Sequence, residues 1–155
     1  MGIQVQTTNT NVPFFLGDDV FIDGAQTLLT NGARATVLKQ FTLMAKVAAT
    51  GKWVPFTDET ATDGTAIPQG ILVSGDVTAA ALVAGDVADA QIARGGCVLI
   101  DGGLLTIENS KTLSTVIVVG EATASAQTDQ RTVRDHLITM GFFPTTTDAI
   151  SSAER

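Results

Sequence analysis

The stretch from Ala33 to Phe56 leaves room for short strands and little else. "ATVLK", "FTLMAKVAA" and "KWVPF" are brief runs of β-forming residues divided by turns, of which Thr50-Gly51 is the clearest. Thr57 to Gly64 then reads as a loop, because its Thr, Asp, Ala and Gly residues form strands poorly and carry no helical stripe. "AIPQGILVSGDV" returns to strand. Pro68 has no N–H to donate, which places it at a strand start or a bulge. "CVLID", "LLTIE" and "LSTVIVVG" alternate with Gly-Gly and Asn-Ser turns and read as further strands. An alanine-rich helical turn fits Thr78 to Val83. One helix is well signalled: Asp129 caps it, Val133, Leu137 and Met140 fall on one face, Gly141 ends it and Pro144 prevents its resumption. The sum is an α+β domain of short, mostly antiparallel strands with a C-terminal helix.

The first 30 residues read differently. Met1 to about Asn11 is rich in Thr, Asn and Gln without a period, as an extended arm would be. "VPFFLGDDVFI" then concentrates apolar side chains beside a proline, which disfavours helix. Such a patch either docks on its own domain or awaits a partner. The expected division is an arm and lead-in over residues 1–30 and one domain over 31–155. Of the 155 residues, 45% are hydrophobic, with seven Phe, one Trp and no Tyr, so the core is expected to be small and aliphatic. A net charge of -7 repels nucleic acid and anionic membranes. No apolar run approaches the ~18 residues of a membrane span. The N-terminus lacks the basic and continuous apolar regions of a secretory signal, which predicts synthesis and use in the cytoplasm or in something assembled there.

The residue types that carry chemistry do not converge. Gly51-Lys52 lacks the upstream glycine and the following hydroxyl of a phosphate loop, since those positions hold Lys46 and Trp53. His136 is the single histidine. Asp135 lies about 100° around the helix from it and is poorly placed to orient it, so a small hydrolase built on His136 is disfavoured. Asp18, Asp19 and Asp23 lack the ligand spacing of a calcium loop. Cys97, the only cysteine, sits in "GGCVLI" and reads as a small apolar core residue. No catalytic residue, metal or cofactor is expected. A folded acidic chain of this kind suits a structural or adaptor role better than an enzymatic one.

The order "VAATGKWVPFTDETATDGTAIPQGILVSGDV", followed by "ARGGCVLIDGGLL", resembles the lambda-type head decoration proteins of tailed bacteriophages. Lys52, Phe56, Asp63-Gly64, Pro68, Gly70-Ile71-Leu72 and Arg94-Gly95 stand at the places that carry the likeness, which covers residues 33–105. The resemblance implies a β-tulip-like α+β fold assembled as a homotrimer. It implies a seat on the outer capsid surface of the virion at local threefold positions, cementing the expanded head against packaged DNA. The partners so implied are the major capsid protein and further copies of the chain, with no nucleic acid and no membrane. Val12, Pro13, Phe14, Phe15 and Leu16 would then belong to a capsid-binding arm. Trp53, Phe56, Pro68, Ile71 and Leu72, with the loop Thr57 to Gly64, would form the structural and trimer region. The alternative is a particle-displayed module that binds a host surface or carbohydrate. The scarcity of aromatic rings for stacking on sugars weighs against it.

Overall fold

A computed structural model describes residues 14–117 and 131–145. Within them the chain is a small α+β domain in two packed parts. The first is a closed five-stranded barrel of β2 (Val20–Leu28), β4 (Trp53–Pro55), β3 (Leu43–Lys46), β5 (Pro68–Leu72) and β6 (Val87–Gly96), in that order around the wall. The second is a three-stranded sheet, β1 (Phe15–Leu16), β7 (Val98–Asp101) and β8 (Phe142–Thr145), with α2 (Val133–Thr139) packed beside it. A short helix, α1 (Ala79–Ala84), lies between β5 and β6. Most strand pairs are antiparallel; β2 with β4 and β7 with β8 are parallel.

The barrel wall is buried on both faces along β3 and β5, and the pleat explains how. Successive side chains of a strand point to opposite sides. Met44, Leu72 and Ile92 join Trp53, Leu28, Leu38 and Leu82 in one cluster, the barrel interior. Their neighbours Leu43, Ala45, Ile71 and Ala93 join Phe14, Phe56, Val98, Ile100, Val133, Leu137 and Phe142 in the other, between barrel and small sheet. Two-sided burial produces near-continuous apolar runs such as "LMA" and "GIL" instead of alternation. Gly70 makes the crowding possible. A Cβ there would stand 2.5 Å from Ile92 Cγ2, 3.0 Å from the Ala93 carbonyl oxygen and 3.2 Å from the Trp53 ring.

Several local expectations hold. Thr50-Gly51 lies in the β3–β4 connection, with Gly51 at φ 69° and its N–H donating to the Val47 carbonyl. Pro68 begins β5 beside a register shift opposite Met44 and Ala45. Thr78 caps α1 by accepting from the Ala81 N–H, and Leu82 of that helix reaches the barrel interior. The C-terminal helix is present, but its cap is Thr132, which forms a reciprocal capping box with Asp135. The expected cap Asp129 lies outside the described residues.

Other expectations are corrected. The boundary near residue 30 does not separate an arm from a domain, because β2 is the strand that closes the barrel through β6 and β4. "LLTIE" contributes one bridge, Thr42 with Thr106, and no strand. Pro144 lies inside β8, where the sheet edge tolerates a residue without an N–H. Cys97 is exposed. It occupies the bend between β6 and β7, where its N–H donates to the Asp19 carbonyl, and Val98 and Ile100 take the core side.

Candidate interaction surface

Three short apolar runs, Phe14-Phe15-Leu16, Val98-Leu99-Ile100 and Phe142-Phe143-Pro144, come together side by side in the small sheet. In its register Phe15, Ile100 and Pro144 form one row, and Leu16, Leu99 and Phe143 form the next. The first row faces the core: Ile100 and Pro144 are buried, and Phe15 packs near Phe142 and Phe41. The pleat therefore turns the second row outward. Leu99 is 46% exposed and Phe143 38%, with Leu16 half-buried beside them. Three adjacent strands spaced about 4.8 Å apart make this an apolar stripe about 10 Å across, bordered by Asp101 and Thr145 in the next register position. Large apolar side chains in one row on a sheet face mark a contact surface more strongly than the same residues scattered.

The two edges of this sheet differ. β8 turns the backbone groups of Gly141 and Thr145 toward β7, where their carbonyls accept from Val98 and Gly102. Alternation therefore directs those of Phe142 and Pro144 to the other side. Pro144 has no N–H, and its carbonyl accepts from the Arg134 guanidinium at 3.0 Å. That edge is blunted against strand addition. At the other edge, β1 receives the chain from residues 1–13.

The residues expected to serve binding divide accordingly. Val12 and Pro13 lie outside the described residues. Phe14 is 1% exposed and belongs to the core, so its ring is not available to a partner. Phe15 packs inward, and among the described members of the group Leu16 alone looks out on the apolar row. Trp53, Phe56, Pro68, Ile71 and Leu72 are all buried within the one chain and present no surface for a trimer contact. Trp53 and Phe56 do not share a core: Trp53 fills the barrel, and Phe56 lies outside it against the small sheet. The Trp53 N–H donates to Gln26 at 2.9 Å, and Lys46 and Arg94 stand over its ring at 5.4 and 5.7 Å. A buried tryptophan cannot stack on a sugar, which removes the one indole ring from the carbohydrate reading.

The loop Thr57 to Gly64 stays at the surface but is tied to its own chain. Asn109 donates to the Thr57 carbonyl, Lys111 pairs with Glu59, and Ala48 donates to the Asp63 carbonyl. Thr60 and Thr65 donate through side chain and backbone to Asp58 and Asp63, which hold both carboxyls below the usual carboxylate range. Motif positions Lys52 and Arg94 bind Asp86 and Asp23.

Catalytic geometry does not emerge around His136. Asp135 places its carboxylate on the Thr132 N–H and hydroxyl at 2.8 Å each, not on the imidazole. Burial and then the nearby Arg131 charge hold the imidazole below its ordinary value of 6.5, against the pull of Asp135. Among the described residues no group of three or more His, Cys, Asp or Glu side chains is placed to hold a metal ion. A cleft of about 250 Å³ opens beside the barrel, lined in part by Leu28, Arg34, Leu38, Trp53 and Glu108. Its principal charges, Arg34 and Glu108, are already paired with each other. Neither helix is long and apolar enough to cross a membrane.

No protein family, curated protein or solved structure matches the chain.

Proposed function

We propose that this chain is a structural component of a phage virion, a homotrimeric decoration protein that binds the outer capsid surface and braces the expanded head. The observation that supports it best is the row Leu16, Leu99 and Phe143. It forms an apolar stripe on the small sheet, next to the point where residues 1–13 join the domain. A stripe beside the point where a leading segment attaches suits a protein that grips a larger surface. Three copies gripping together would multiply weak contacts through effective concentration. The acidic composition suits a soluble exterior part that avoids nucleic acid.

The test adds purified protein to expanded, undecorated lambda-type heads and measures bound copies against concentration. Saturable binding, reduced at least about tenfold by Leu99→Glu, which converts an exposed apolar contact to a charge, supports the proposal. Absence of saturable binding to heads, or equal binding by the variant, counts against it. Light scattering on the free protein reports whether copies associate before they meet a shell.

A further inference from the structure

Phe14 is held in a way its position does not require. β1 has two residues, and the three that follow, Gly17, Asp18 and Asp19, are exposed. Yet the residue just before β1 is inserted into the core. Its ring lies flat on that of Phe41, with centroids 4.1 Å apart and 5° between planes, and Phe15 stands edge-on to it at 4.8 Å. The Asp101 N–H donates to the Phe14 carbonyl at 2.9 Å.

Phe41 is itself unusual. Its φ is 63°, in the left-handed region, where a bulky side chain is disfavoured and persists only if its surroundings over-determine it. Its backbone joins three parts of the molecule. The Phe41 N–H donates to Leu72 of β5 at 2.7 Å, and its carbonyl accepts from Thr106 at 3.0 Å; Leu43 of β3 donates back to Thr106 at 2.8 Å. The stacked Phe14 ring covers one face of this corner.

We infer that Phe14 is a latch: a plug that lifts out together with β1 and whose seating holds the Phe41 corner in its left-handed conformation. The exposed Gly17-Asp18 pair lets β1 leave while Asp19, whose carbonyl accepts from the Cys97 N–H, stays with β2. Gly17 has φ 152°, and a Cβ there would sit 3.3 Å from Val98. Withdrawal of Phe14 strips one ring face from Phe41 and removes the contact that holds its backbone. The corner then relaxes, and its bonds to Leu72 and Thr106 open. A partner that draws on the residues before Phe14 thereby acts on the junction between barrel and small sheet. The latch stands on this geometry whatever the partner is.

Amide hydrogen exchange on the full chain tests it. Phe14→Ala should speed exchange at Phe41 and Thr106 by at least about tenfold relative to the Val47 amide, which donates to Lys52 across the β3–β4 turn. Leu137→Ala removes volume from the same core cluster through α2 and should not single out those two amides. If Phe14→Ala does not fold, Phe14→Leu, which keeps bulk and loses the flat stack, reads the same ratio. Phe41→Gly provides the converse. Glycine adopts this φ without strain, so Thr106 exchange in that background should no longer respond to residue 14. Uniform acceleration by the residue 14 variants, no acceleration, or an undiminished Thr106 response in Phe41→Gly overturns the latch.

Discussion

Gly70→Ala is the sharpest probe of how the barrel is built. The added methyl would overlap Ile92 Cγ2 at 2.5 Å and press on the Ala93 carbonyl at 3.0 Å and the Trp53 ring at 3.2 Å. Ile92 and Trp53 have no exposed surface into which to retreat, and the carbonyl belongs to a strand paired on both sides. Overpacking of a well-filled core costs about 1–3 kcal/mol, and this site belongs at the upper end. Alanine also restricts the unfolded chain more than glycine does, which offsets about 0.5–1 kcal/mol. The net expectation is a loss of about 2 kcal/mol. With a urea dependence of about 1.5 kcal/mol/M, the unfolding midpoint falls by about 1.3 M. Trp53, the only tryptophan and fully buried, reports the transition by fluorescence. Ile92→Ala removes the atom in closest conflict, so the double variant should recover at least about 1 kcal/mol relative to the sum of the single changes. A Gly70→Ala midpoint within about 0.3 M of the parent, or strict additivity with Ile92→Ala, would refute the packing argument.

Three further outcomes are expected. Removal of residues 1–16 also deletes the Phe14 plug and should cost about 3–5 kcal/mol more than removal of residues 1–13, as loss of a buried phenylalanine does; equal melting temperatures for the two truncations would contradict the placement of Phe14. His136 has a folded pKa below its unfolded value, so its contribution is present above about pH 6.5 and is lost as pH falls through the folded value; melting curves from pH 8 to 5 should decline less for His136→Gln than for the parent, and parallel declines would show that the imidazole is not desolvated. Cys97 should react with a thiol reagent in the native protein at a rate close to that of the unfolded chain, and protection until unfolding would place it back in the core.

The parts of the fold legible in the sequence were those that local chemistry writes directly. Turns at Gly51, a strand start at Pro68 and the helical face of Val133 and Leu137 follow from backbone freedom, a missing donor and a 3.6-residue period. β2 was hidden because three register shifts break its alternation and because Asp23, Gly24, Ala25 and Gln26 interrupt its apolar run. β6, "VADAQIARGG", has little strand propensity of its own. It is a strand because β2 and β5 hydrogen-bond to it from either side, a tertiary fact no local window contains. The exposed row was half legible. Phe14-Phe15-Leu16 stood out as an apolar patch, but the pleat determines which of the three faces out, and β7 and β8 determine what lies beside it. Phe143 was concealed by its position just after a helix-ending glycine. Three apolar triplets with glycines close by, at 14–16, 98–100 and 142–144, were the available signal that they pair.

The unequal rims of the small sheet carry a consequence for crowded copies. An endless ribbon needs every molecule to offer one sticky border and to receive at another. On the β8 side a proline and an arginine clasp leave little for an incoming backbone to bind. Copies concentrated side by side can therefore stop at small closed groupings, because stacking into filaments finds no second handhold at this rim of the small sheet among the described residues.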